Sequence, residues 1–302
     1  MAGSQIPTFY VEQFSSNIQL KLQQKGSRLR EAVMTGSHVG SQASPVDQFG
    51  AIAANKVTGR YNPMQRVDAP TDRRWVFPQD YDLPQLIDSF DKLRMLIDPT
   101  SSYVTNAVQA LGRAMDQEIL AGLLNTNFTG VNGATSTVLP TSLTTGQTVG
   151  VAQGAASATN LTVAKLRAAK KILLANEVDV DVDPIYCAVN AANLDTLLSE
   201  VQVISTEFND RPVLVEGKIS RFLGINFIHT ELLSTGTDDA SGTSTSVPMW
   251  VKSGAYMGLW NDIKTDISQR KDLQGIPYQA YVFGTFGATR LEEKKVVNIW
   301  AR

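Results

Sequence analysis

Residues 98–124 read DPTSSYVTNAVQALGRAMDQEILAGLL, and the architecture hangs on them. Asp98 is a helix N-cap, and Pro99 suits the first helical position, where its missing N–H costs nothing. Val104, Val108, Leu111, Met115 and Ile119 then recur on one apolar stripe. Asn106, Gln109, Arg113 and Asp116 lie largely off it. The spacing predicts a helix over about 99–124, roughly 39 Å long at 1.5 Å per residue. A mean globular helix has about 11–12 residues, so this one is a spine around which the rest must pack.

On its N-terminal side the chain reads as extended. Lys56–Val67 and Arg73–Leu83 are candidate strands, joined by the turn chemistry of Asp68-Ala69-Pro70-Thr71-Asp72. Pro63, Pro78 and Pro84 keep these strands out of the middle of a packed sheet. A two-stranded ribbon is marginal alone in water. Trp75, Val76, Phe77 and Tyr81 therefore need a surface, from the same chain or from another copy. The ribbon is mildly basic, with Arg60, Arg66, Arg73 and Arg74 against Asp68 and Asp72. Further upstream, Phe14, Ile18 and Leu22, continued by Leu29 and Val33, suggest a helix within Thr8–Met34, interrupted by Gly26 and ended by Gly36. Ser37–Pro45 has little reason to fold alone.

On the C-terminal side, Asn125–Asn160 holds no charged side chain and reads as a loop or hairpin, partly ordered by Val131, Val138, Leu139 and Val149. A second helix, about 161–176, turns Leu166, Ala169, Ile172 and Leu173 inward and Lys165, Lys170 and Lys171 mostly outward. Beyond it the pattern is mixed: a strand at Ile185–Val189, a short helix at Ala191–Leu198, and a turn-strand-turn-strand unit at Gly217–Thr230. A polar excursion at Thr235–Ser246 follows, then strands at Met249–Val251 and Ile263–Arg270. Two apolar runs close the chain, Tyr278–Phe286 and Val296–Trp300, so its end is expected inside a sheet.

Composition narrows the function. The chain has 302 residues, 43% of them hydrophobic, enough for a sizeable core. With 27 basic and 29 acidic side chains its net charge is −2, without the basic excess of a dedicated nucleic-acid reader. Arg60–Arg74 lacks the density of a single-strand channel, and contacts to a neighbouring subunit explain these arginines better. The single cysteine, Cys187, lies in an apolar strand and reads as a buried hydrophobe. No stretch is apolar enough to span a bilayer, and Met1–Tyr10 lacks the pattern of a secretory leader, so a soluble chain without membrane partners is expected. His38 and His229 have no ligand pairing. Asp179-Val180-Asp181-Val182-Asp183 resembles the start of a calcium loop, but Pro184 takes the place of its glycine and no closing glutamate follows. Gly217-Lys218 is followed by Ile219, which excludes a phosphate loop. No nucleophile elbow, dinucleotide fingerprint or zinc spacing is present. Neither catalytic residues nor a cofactor nor a metal is expected.

The order of parts is itself diagnostic. Arg73-Arg74-Trp75-Val76 with Asp88, Asp91 and Ile97-Asp98-Pro99 resembles a ribbon's return strand and the entry to a spine helix. Ala110-Leu111-Gly112-Arg113-Ala114-Met115-Asp116 and Ile119-Leu120-Ala121-Gly122-Leu123 resemble the spine itself. Gly217-Lys218-Ile219-Ser220-Arg221-Phe222-Leu223-Gly224-Ile225 and Gly287-Ala288-Thr289-Arg290 followed by Val296-Val297 resemble later segments of the same plan. Together they resemble the major capsid proteins of tailed bacteriophages with the Hong Kong 97-type α+β fold.

That resemblance implies an N-terminal arm at 1–46, an extended E-loop ribbon at 47–90 and a peripheral domain at 91–185 holding both helices. An axial domain would follow at 186–270, and C-terminal strands at 271–302 would return to the peripheral domain. It implies pentamers and hexamers closing into an icosahedral shell around double-stranded DNA, in a virion assembled in the bacterial cytoplasm. Residues 47–83 would be a projecting arm that becomes ordered only by lying on another copy, with Arg60, Arg66, Arg73, Arg74, Trp75 and Phe77 making the intersubunit ribbon contacts. The expected partners are a scaffolding protein, a portal, decoration proteins, and packaged DNA touched without sequence preference. Some relatives cross-link a ribbon lysine to a neighbour's asparagine; the turn Asp68–Asp72 has no lysine, so no cross-link is expected. The stretch before the ribbon is short for the cleaved scaffolding segment many members carry, hence the separate scaffold. A shell compartment with an enzyme cargo, a tail-tube or decoration protein, and an enzyme with no legible motif are the competing readings.

Overall fold

Thr100–Leu124 forms the spine helix (α1) of the computed structural model, which describes residues 23–40, 44–56, 59, 64, 66–87, 100–143, 146–200, 219–237 and 242–302. The expected cap at Asp98-Pro99, the periodic residues Phe14, Ile18 and Leu22, and Arg60 lie outside the described residues. The strands before α1 are β1 (Met34–Ser37), β2 (Ser44–Phe49), β3 (Thr71–Val76) and β4 (Gln79–Ile87). After it come β5 (Asn127–Thr129), β6 (Thr135–Thr137), β7 (Thr148–Val149), the helix α2 (Val163–Ala175), β8 (Ile185–Val189) and the helix α3 (Ala191–Ser199). The chain ends through β9 (Arg221–Phe222), β10 (Ile225–His229), β11 (Thr235–Thr237), β12 (Thr243–Val251), β13 (Ala255–Gln269), β14 (Tyr278–Arg290) and β15 (Val296–Ala301).

Two compact units share the chain: Met1–Ser27, Gln79–Met115 and Trp260–Phe286 form one, and Arg28–Pro78, Asp116–Leu259 and Gly287–Arg302 the other. In the first, β4 pairs antiparallel with β14 from Ile87↔Tyr278 to Gln79↔Phe286. The turn between β13 and β14 closes with Arg270 N–H donating to the Pro277 carbonyl at 2.9 Å. β4 is an edge strand, the position that tolerates Pro84. Ala107 and Leu111 of α1 bury against Val282, flanked by Tyr81, Leu83 and Ile263. Tyr81 stacks on Phe286 at 4.9 Å. Gly112 lets the N-terminal segment approach: a Cβ there would lie 2.6 Å from the Gly26 backbone.

The second unit is built on a seven-stranded sheet ordered β7-β15-β12-β8-β10-β9, with β11 on β12. Leu161, Val163, Leu166, Ala169 and Leu173 of the α2 region share one core with Ile185, Val189, Ile225, Met249, Val297 and Ile299. Each such side chain contributes about 1.5–3 kcal/mol when fully buried. A second sheet runs β2-β3-β5-β6, and β1 adds in parallel to the start of β13. The terminal strand β15 lies between β7 and β12, as its apolar run implies.

Several sequence expectations change. No helix runs through 23–34: Gly26 takes φ +66°, and the Asp116 carboxylate accepts the Arg28 and Leu29 N–H groups at 3.0–3.2 Å, replacing helical partners. Asp116, expected off the packed face, is therefore buried. Lys165, expected outward, is buried too, because its ammonium donates to the Thr159 and Trp300 carbonyls at 2.6 and 2.9 Å. The partner of the 71–76 strand is β2, not 56–67, whose described residues form no strand. Arg73–Leu83 is not one strand. It divides at Phe77-Pro78, where proline lacks an N–H, and β3 and β4 enter different sheets. Thr243–Ser246, expected as polar loop, begins β12, with Ser246 Oγ bonded to Asn298 Oδ1 at 2.6 Å. β13 starts at Ala255 rather than Ile263. No break in the core falls at 185/186: α2, β8, β12 and β15 pack as one body.

Candidate functional site

β2 and β3 pair from Ser44↔Val76 to Phe49↔Thr71, and Gly50 N–H donates to the Pro70 carbonyl at 2.7 Å to close the ladder. Beyond that bond the described residues of 51–70 are all exposed. They include large apolar side chains left largely exposed: Met64 is 98% exposed and Ile52 62%, with Phe49 at the ladder's end 79%. Arg66 bonds Asp68 at 2.7 Å within the segment. At its root Arg73 bonds Asp47 across the ladder at 2.6 Å, and that hydrogen bond and charge hold its guanidinium above its ordinary pKa.

The root is anchored from below. Arg74 is buried and donates both Nη groups to Glu293, each at 2.7 Å. Arg290, fully buried, lies 3.6 Å from the same carboxylate and donates Nη1 to the Leu123 and Asn125 carbonyls at 2.6 and 3.2 Å. Burial pulls the Arg290 guanidinium below its ordinary pKa; Glu293 opposes that and Arg74 adds to it. Trp75 is half-buried and donates Nε1 to the Gly130 carbonyl at 2.6 Å. Phe77 meets Phe128 edge-on at 5.2 Å. Gly133, at φ +69°, packs against Phe77 and Trp75, where a Cβ would lie 3.0 Å from Phe77 Cζ.

The six expected ribbon contacts thus separate. Arg66 and Arg73 are exposed, and Phe77 is 40% exposed. Trp75 and Arg74 are held by their own chain, as are Val76 and Tyr81, which corrects the expectation that these residues are ordered only on another copy. The projecting part is shorter than 47–83. Glu293, Phe49, Ile52 and Met64 were not picked out by sequence reasoning.

Elsewhere, His38 Nε2 meets the Tyr256 hydroxyl at 2.6 Å, and burial lowers the His38 pKa and raises that of Tyr256. His229 lies between Arg28 and Glu231, at 3.0 and 2.9 Å. Asp179 caps its own turn by accepting the Asp181 and Val182 N–H groups. Cys187 is buried, and burial pushes its thiol pKa far up. Among the described residues no three His, Cys, Asp or Glu side chains gather to hold a metal, and no helix is long and apolar enough to cross a membrane.

Solved structures share the fold over almost their whole length. The capsid of cyanophage P-SCSP1u is 16% identical, with TM-score 0.71, over 99% of this chain and 95% of that one. The capsid of Helicobacter pylori bacteriophage KHP30 is 10% identical, with TM-score 0.72, over 96% and 95%. The cyanophage Pam1 capsid is 11% identical, with TM-score 0.71, over 100% and 99%. Comparison with curated protein sequences finds no match. The fold is the Hong Kong 97-type expected from the resemblance. Residues 6–301 match the phage capsid protein family; the chain belongs to that family, and its place is the capsid of the virion.

Proposed function

We propose that copies of this major capsid protein gather as pentamers and hexamers, close into an icosahedral shell around double-stranded DNA of a tailed phage, and interlock through the 50–70 segment, whose described residues beyond Gly50 are exposed. The observation carrying this reading is the contrast at Gly50–Pro70. Below that closure Arg74, Trp75 and Val76 are buried or bonded within the chain; above it Ile52 and Met64 are largely exposed. Uncovered apolar side chains on a projecting segment mark a protein-binding element. Its work is mechanical rather than catalytic.

In this reading the E-loop proper is about 50–70, with β2 and β3 as its root. The peripheral region centres on the first part of α1 and its three strands, and the axial region on the seven-stranded sheet with α2. A separate scaffolding protein, a portal and decoration proteins complete the assembly, and contacts to DNA are sparse and sequence-blind. Many-copy closure lets each subunit bury more surface than a transient contact would.

Negative-stain microscopy of the expressed chain, alone and with a candidate scaffold, tests the reading. Closed shells are expected from the wild type, and replacing 52–67 by a short turn should leave folded subunits that do not close. Small DNA-free particles loaded with an enzyme, tubes, or a compact monomer at high concentration would each overturn it.

A further inference from the structure

His229, at the end of β10, is held from two sides by charged groups of opposite sign. Arg28 Nη1 lies 3.0 Å from His229 Nδ1 and donates to the His229 carbonyl at 2.8 Å. On the other side the ring's Nε2 is 2.9 Å from Glu231 Oε1. Among the described residues these are the two charged groups bonded to the imidazole. A guanidinium has donors and no acceptor, so Nδ1 accepts from Arg28. That sets the ring as the neutral tautomer, with its proton on Nε2 and donated to Glu231. Glu231 is itself oriented: Oε1 also accepts the Ala191 N–H, the first of α3, at 2.8 Å, while Asn190 caps the same helix through the Asn193 N–H. The Arg28 end is built differently. Its side chain is exposed, but its backbone N–H and that of Leu29 are taken by the buried Asp116 carboxylate. Leu29, Ala32 and Val33 are buried, and Trp250 Nε1 donates to the Ala32 carbonyl at 2.9 Å. From Leu29 onward the core fixes the chain, whereas the Arg28 side chain is tied, among the described residues, to His229.

We infer that the Arg28–His229 contact is a proton-operated latch, closed while the imidazole is neutral and opened when it gains a proton. Histidine is the side chain that changes charge between about pH 5 and 8. The added proton goes to Nδ1, the atom that accepts from Arg28. Two donors and two positive charges then meet across 3.0 Å, while the cationic ring keeps its bond to Glu231. Arg28 leaves for water, where acceptors are plentiful. Asp116 and the core retain Leu29, so the opening stops there. The contact is therefore complete at the alkaline end of the histidine range and lost as pH falls through it. Glu231 favours the charged ring; Arg28 and the positive N-terminal end of α3 behind Glu231 oppose it. His38 is not built this way: it meets the Tyr256 hydroxyl, which can accept as well as donate, so that contact survives protonation. The latch operates within a single subunit, whether or not copies assemble.

The chain has 2 histidines, so nitrogen NMR of the full protein, with H38Q to assign the rings, reads the latch directly. At about pH 8 His229 should carry its proton on Nε2. R28M should raise the midpoint at which His229 titrates by at least about 0.5 unit, a threefold change in proton affinity, and E231Q should lower it by a similar amount. Trypsin cleavage after Arg28 reads the freedom of that side chain. Normalised at each pH to a peptide of residues 23–34, its rate should rise at least about threefold from about pH 8 to pH 6 in wild type and in H38Q. H229Q, whose amide oxygen accepts from Arg28 at any pH, should be cleaved slowly throughout, and H229K quickly throughout. Circular dichroism and gel filtration show that each variant is folded. A proton on Nδ1 at the alkaline end, a midpoint that R28M leaves unmoved, or a cleavage rate with the same pH dependence in wild type and H229Q would overturn the latch.

Discussion

Replacing Glu293 by alanine should destabilise the subunit more than replacing Arg74, although the same ion pair is broken in both. The reason lies in the charge count at the root of the exposed segment. Arg74 and Arg290 are both buried, and Glu293 is the one carboxylate bonded or ion-paired to either among the described residues. Neither arginine's Nε has a hydrogen-bond partner, and the carbonyls that accept from Arg290 carry no full charge to offset it. E293A leaves two like charges buried together, and breaking a buried pair in this way costs about 3–5 kcal/mol. R74M leaves Glu293 facing Arg290 at 3.6 Å, a one-to-one pair, and fills the vacated volume with an unbranched apolar chain. Its cost should be near that of the lost charged hydrogen bonds, about 1.5–3 kcal/mol. Urea unfolding of dissociated subunits, followed by fluorescence of the buried Trp250 in the same compact unit, gives both numbers. If R74M costs as much as E293A with an unchanged urea dependence, or if E293A costs under about 1 kcal/mol, the compensation argument fails.

Other positions report on the same packing. G122A should cost about 1–3 kcal/mol by thermal unfolding, since a Cβ on Gly122 would lie 2.7 Å from the Ala288 backbone. K165M should lose stability despite filling the space, because the buried Thr159 and Trp300 carbonyls lose their ammonium donor, at roughly 1–3 kcal/mol each. Native Cys187 should resist a thiol reagent that modifies it fully in urea. Burial raises its folded-state pKa above the unfolded value, so its contribution to stability is intact below about pH 8.5 and falls as pH rises beyond it. Urea midpoints at pH 7 and 10 measure that loss, with C187A as the control.

How legible was this in the sequence? The spine was: Leu111, Met115 and Ile119 are buried, and α1 ends at Leu124 as the stripe predicts. Helix α2 and strands β8, β10, β14 and β15 were legible from the same apolar periodicities. The misreadings share a cause. Asp116 and Lys165 look like surface residues, because periodicity registers polarity and not the distant backbone groups that satisfy it. The pairing of β2 with β3 escaped for a related reason. Ser44–Phe49 is a weak strand by composition, and its partner is decided by the ladder from Ser44↔Val76 to Phe49↔Thr71, twenty or more residues away. Glu293 carries no pattern signal between the two closing apolar runs. Only the burial of Arg74 and Arg290 beside it gives that one carboxylate a role.

The anchor explains how an exposed segment can still carry positional information. A loop joined to the body by a two-stranded ladder alone would pivot freely and lose much entropy on docking. Here the second strand of that ladder is held three times within six residues: Arg74 by Glu293, Trp75 by the Gly130 carbonyl, and Val76 by burial in the core. Pro78 then breaks the strand, so β4 can enter a different sheet without dragging β3 with it. A subunit built this way holds the root of the segment in place before assembly, so the root adds little ordering cost on docking. Loosening the root, as in E293A, should therefore impair shell closure even under conditions where the subunit remains folded.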